Sequence, residues 1–214
     1  MNTRSAVWEL IGALSGAATV VLLVASMAML GAPDLDPGMP SAQLAREIAD
    51  IRNKIEVSGI IALLGMLAFI LFVGYISRNL RRAEGDGGWL TSVAYGGGML
   101  GVAVYLGLLA INFGMTSIKD YGADTQVAKT LVALQWSYIG LFAPPLIAFA
   151  AAASAVIIRF RALPIWLGWL GVPVAISLLV PWIGMMVFFV WIAVLSVVLA
   201  IQVVRHRHES DGKA

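Results

Sequence analysis

Long apolar runs divide this chain, and polar residues gather between them. The runs cover residues 7–30, 57–77, 91–115, 127–158, 165–180 and 183–204. A hydrocarbon core about 30 Å thick takes about 20 apolar residues as helix. Each run is therefore a candidate span, the fifth short and the fourth long. The runs do not alternate every second residue, which argues against a membrane barrel. The pattern predicts an all-α, polytopic transmembrane helix bundle of six spans, forming one domain over residues 1–214. An outer loop (31–54), inner turns (78–90 and 159–164) and an inner tail (205–214) connect and end the spans.

The loop after the first run has a pattern of its own. Pro33, Asp34, Asp36 and the pair Pro37-Gly38 are turn formers. The stretch "SAQLAREIADIRNKI" then puts Leu44, Ile48, Ile51 and Ile55 at helical spacing, with charges on the other face. Ser41 follows Pro40 and suits an N-cap. This predicts a short amphipathic outer helix that lies on the membrane or caps the bundle, then runs into the second span. A solvated connector is the alternative. The charges in the loop nearly balance, unlike a polybasic lipid-binding patch.

Charge sets the orientation. Six spans put both termini on one side. That side then holds Arg4, Arg78, Arg81, Arg82, Arg159, Arg161, Arg205, Arg207 and Lys213. The other holds Arg46, Arg52, Lys54, Lys119 and Lys129. Basic residues stay in the cytoplasm, so the expectation is N-in and C-in. Trp8, Trp89, Trp166 and Trp169 at inner ends, and Trp136 and Trp182 near outer ends, match the indole preference for the headgroup level. Trp191 falls inside the last run. Ser26-Met27-Ala28 imitates a signal cleavage site, but the run of 24 residues exceeds the usual signal core of about 7–15. The first run therefore reads as a retained span.

Composition agrees and narrows the chemistry. The chain is 60% hydrophobic and 12% charged, against about 25% charged in soluble domains. A net charge of +2 makes no case for nucleic acid. Without cysteine there is no disulfide and no thiolate ligation. The two histidines, His206 and His208, lie in the basic tail "RHRHES", so no span offers a haem ligand and no HExxH exists. Met185-Met186 reads as apolar filling. No G-x-S-x-G is present. Neither a metal nor a cofactor is expected.

Gly96-Gly97-Gly98-Met99-Leu100-Gly101 matches G-x-G-x-x-G, but a dinucleotide site needs a preceding strand. Within a span, Gly97 and Gly101 instead form a small-xxx-small packing face, as do Gly12 and Gly16. Such faces join helices within one chain or between copies, and the intramolecular use is preferred here.

Polar residues in the spans are the remaining signal. Glu9 sits near an inner end, where interfacial water or a partner such as Arg4 or Arg78 accounts for it. Glu56, Asn112, Gln135, Ser137 and Tyr138 come from three spans and share an outer depth. Pro144 and Pro145 follow them. Proline lacks an N–H, so the carbonyls of Gly140 and Leu141 lose their helical donors. Backbone of this kind must face protein or water within a membrane. Together these residues predict a ligand-binding vestibule that opens outward and is floored by a bend at Pro144. Interfacial placement of the polar group is the plainer alternative, because 32 residues span about 48 Å as helix. Pro173 predicts a bend in the fifth span.

The segment "LPIWLGWLG" at 163–171, the preceding Arg161 and the closing "FFVWIAVLSVVLAI" resemble a bacterial family of small six-helix membrane proteins of unknown function. The resemblance implies a multi-pass protein of the bacterial inner membrane and brings no functional residues. Three classes of function stay open. The first is binding or passage of a small or lipidic molecule through the vestibule. The second is an accessory or sensory subunit that acts through protein partners or a further copy. The third is a membrane enzyme, for which Glu56 and Tyr138 are the acid–base candidates.

Overall fold

The computed structural model describes residues 3–31, 35–36, 38–85, 87–117 and 125–211. Pro33, Asp34, Pro37, Lys119 and Lys213 lie outside the described residues, as do the side chains of Arg4, Ser41, His206, Arg207 and His208. Among the described residues there are seven helices and no strand. They are α1 (Thr3–Leu30), α2 (Ser41–Glu84), α3 (Trp89–Ser117), α4 (Thr125–Gly140), α5 (Ala143–Phe160), α6 (Ile165–Ser177) and α7 (Pro181–Asp211).

Five stretches are long and apolar enough to cross a membrane: Val7–Leu30, Arg46–Glu84, Trp89–Ser117, Gln126–Phe160 and Trp182–Arg205. The chain is thus all-helical and compatible with a multi-pass membrane bundle. The expected fifth span corresponds to α6, which has 13 residues and a length of about 20 Å. It falls short because Leu178–Val180 leave the helix and Pro181 begins the next one. Pro173 lies inside α6 without ending it.

The amphipathic segment after α1 runs without a break into the second apolar run. α2 is continuous over 44 residues, about 66 Å, and its polar first turns extend beyond the apolar part. Pro40 takes the N-cap position, so Ser41 is the first helical residue rather than the cap. Leu44 and Ile48 are fully buried against Met115, Ala128 and Val132, where α3 ends and α4 begins. The Trp136 indole N–H donates to the Leu35 carbonyl at 3.0 Å and ties α4 to the connecting segment. The apolar face of this segment therefore caps one end of the bundle.

Around the bundle, α1 packs on α2, α2 on α3, α3 on α5, α5 on α6, α6 on α7, and α7 on α1. α4 precedes α5 in the chain and touches α2 and α3. Phe69, Phe149, Phe188 and Trp191 fill the centre with ring centroids 6.0–6.3 Å apart. Edge-to-face contacts of this kind add to the area the rings bury. Trp191 is 2% exposed, and its N–H reaches the Leu167 carbonyl at 3.1 Å. A buried indole needs such an acceptor, which accounts for a tryptophan far from the headgroup level.

Small residues set the close approaches. A Cβ on Gly12 or Gly16 would come within 2.6 Å of Tyr75 or Phe72. A Cβ on Gly101 would lie 2.9 Å from Leu146. Gly168 and Gly171, both in "LPIWLGWLG", pack on Ile158, Ser154 and Trp191. The Ser196 hydroxyl donates to the Ala13 carbonyl and accepts from the Ala17 N–H at 2.9 Å. It bridges a donor and an acceptor one turn apart on α1.

Candidate functional site: a cavity beside the helix break

The break between α4 and α5 follows from backbone chemistry. Pro144 and Pro145 occupy the first turn of α5, where a missing N–H costs least. Before them the chain tightens: Leu141 N–H bonds the Tyr138 carbonyl at 3.0 Å, and Phe142 N–H bonds that of Ile139 at 3.4 Å. Both are bonds to the third residue back, as in a 3₁₀ turn.

A cavity of about 160 Å³ lies beside this break. Ile139, Phe142 and Ala143 line one side, and Met27, Leu30 and Leu109 line others. Leu178, Trp182 and Met185 also line it, so the α6–α7 turn lies level with the α4–α5 break. Tyr105, Phe142 and Met185 line both this cavity and a void of about 30 Å³ nearer the aromatic centre.

Asn112 and Gln135 bring amide groups into this apolar lining. The Asn112 Oδ1 is buried and has no hydrogen-bond partner. An unpaired buried acceptor costs about 1–3 kcal/mol. Ser26 and Ser58, also in the lining, are satisfied: Ser26 donates to the Ser58 carbonyl at 2.8 Å, and Ser58 to that of Ile55 at 3.1 Å. For scale, a cavity of about 150 Å³ with apolar walls holds a benzene molecule.

The other residues singled out in the sequence lie elsewhere. Glu56 pairs with Arg52 at 3.3 Å, one turn back on α2. Ser137 is exposed and donates to the Ala133 carbonyl at 3.0 Å. The Tyr138 ring packs over Gly107 on α3. Pro144 is exposed, and Pro145 is buried against Gly97. Sequence reading did not single out Tyr105, Trp182 or Leu178 in the lining. Trp182 was marked only as an interfacial indole, and Tyr105 and Leu178 only by the hydrophobic character that marks most of the chain.

The opposite end of the bundle is polar. Glu9 and Arg78 approach to 4.0 Å. The Glu84 carboxylate accepts from the Leu90 N–H at 3.0 Å, the Thr91 N–H at 2.8 Å and the Thr91 hydroxyl at 2.6 Å. It caps the start of α3. An open basin of about 550 Å³ lies nearby, where the ends of α2 and α7 meet the α5–α6 turn. No group of three or more metal-binding side chains occurs among the described residues.

No family model matches the chain. No curated protein and no solved structure matches it either.

Proposed function

We propose that this protein binds a small amphipathic or lipidic molecule in the cavity beside the α4–α5 break. The observation that carries the reading is Asn112. Asn112 lines a cavity that is otherwise mostly apolar, and its Oδ1, closed off in the cavity wall, lacks a partner. A ligand with one donor group and a compact apolar body would satisfy both features once the amide turns toward it. Pockets for small molecules have this make-up: apolar walls with a few placed polar groups. Gln135 would offer a second polar contact.

Binding is favoured over passage. Phe69, Phe149, Phe188 and Trp191 fill the centre between the cavity and the basin at the other end. The accessory reading loses its best surface, because Leu44 and Ile48 are buried within the chain itself.

Native mass spectrometry of the full chain released from membranes in mild detergent tests this. The wild type should retain a small adduct. Ala143→Phe should lose it by filling the cavity, and Asn112→Leu should retain less of it. An adduct held equally by all three proteins, or by none, sinks the proposal.

A further inference from the structure

A second site is built at the polar end. Its basin is lined by Arg82 and Asn79 of α2, Arg161 of the α5–α6 turn, Gln202 of α7 and Glu9 of α1. It shares Arg161 and Gln202 with an adjoining hollow of about 590 Å³. The charges here are not all balanced. Glu9 approaches Arg78, and Glu84 is engaged by the start of α3. Among the described residues, the ion pairs are Arg52–Glu56 and Arg78–Glu9. Among the described side chains, Arg82 and Arg161 line the basin with no carboxylate at contact distance.

The backbone at Arg161 is informative. Its φ of 53° and ψ of 37° are left-handed, and it is the only non-glycine residue with positive φ among the described residues. It follows the last turn of α5, a position that glycine takes without steric penalty. Keeping arginine there places a guanidinium at the basin despite that penalty.

The level also fits a headgroup. Trp8, next to Glu9, is 72% exposed, and Trp166, near Arg161, is 48% exposed. Tryptophan is enriched at the membrane interface, where its ring sits at headgroup level.

We infer that this basin binds a phosphate group, held by Arg82 and Arg161 with an amide donor from Gln202, while the Asn79 amide is engaged by the Tyr75 carbonyl at 3.2 Å. Guanidinium forks match phosphate oxygens in pairs. Either an anionic lipid headgroup or a free phosphorylated solute carries this chemistry. The site is separate from the cavity beside the helix break and does not depend on it.

The full chain in neutral detergent would be titrated with short-chain phosphatidylglycerol, short-chain phosphatidylcholine and inorganic phosphate, with binding read by native mass spectrometry and melting. The wild type should prefer phosphatidylglycerol to phosphatidylcholine by about fivefold or more, and Arg82→Gln or Arg161→Gly should each lower that preference about fivefold. Lys54→Gln removes the same charge at the far end and should leave the preference intact. Arg161→Gly also removes the left-handed penalty. Its melting temperature without lipid should not fall, so lost binding cannot be put down to unfolding. Competition by inorganic phosphate, dependent on both arginines, assigns a free solute. Lack of competition with the lipid preference retained assigns the headgroup. Equal binding of the two lipids without phosphate binding, or variants that bind as the wild type does, would overturn the inference.

Discussion

Gly97 on α3 lies so close to Pro145 on α5 that a Cβ there would come within 2.7 Å of the proline carbonyl oxygen. The same Cβ would meet the Phe149 backbone nitrogen at 2.7 Å. Both neighbours are main-chain atoms, which cannot rotate away as a side chain can. The contact holds the first turns of α5 against α3, just past the helix break. Gly97→Ala should therefore destabilise the protein by about 1–3 kcal/mol, the usual cost of overpacking. Gly96→Ala is the control, since nothing lies within 4 Å of its added methyl. Thermal melting in detergent compares the two, and equal melting temperatures would remove the close-approach argument.

Ser196 should matter for joining α7 to α1. Its hydroxyl bonds both Ala13 and Ala17 and is fully buried. Ser196→Ala should cost about 1 kcal/mol, near the upper part of the measured range for interhelical hydrogen bonds in membranes. The cost stays moderate because the Ala17 N–H can return to the Ala13 carbonyl. A denaturant series in mixed micelles measures it.

The cap on α3 should weaken in acid. Desolvation raises the Glu84 pKa, but the Thr91 hydroxyl, the Thr91 and Leu90 N–H groups and Arg81 outweigh it. The carboxyl is held below the ordinary carboxylate range. Its stabilisation is thus complete above the unfolded pKa, about 4.3, and is lost as pH falls through the lowered folded value. Hydrogen exchange at Leu90 and Thr91, corrected for intrinsic rates, should show protection falling in that window. In Glu84→Gln the change should disappear, and neutral stability should drop by about 0.5–2 kcal/mol, as for other N-terminal caps.

Access to the cavity can be tested with cysteine, because the natural chain has none. Asn112→Cys and Gln135→Cys should react with an impermeant thiol reagent, whereas Val132→Cys, at a fully buried position, should not. Labelling that fails at both cavity positions in a folded protein means a closed interior there.

Along the chain, sequence settled what depends on one residue and its neighbours. Unbroken apolar runs mark helices suited to lipid, because every backbone group must be bonded within its own segment there. The doubled proline marks the break, since the missing N–H groups act wherever the chain goes. Asn112 and Gln135, placed at one level from sequence, line one cavity.

Rotation about each helix axis was not legible. Glu56, Ser137 and Tyr138 were assigned the same level, yet they turn to a salt bridge, to an exposed face and to Gly107. In a chain apolar on nearly every side, hydrophobic periodicity is too weak to say which face meets which neighbour. Packing decides it, through small residues such as Gly97 and bridging groups such as Ser196. The basin that Arg82 and Arg161 both line has the same origin: residues far apart in sequence came to one hollow only when α1, α2, α5 and α7 closed around a common core.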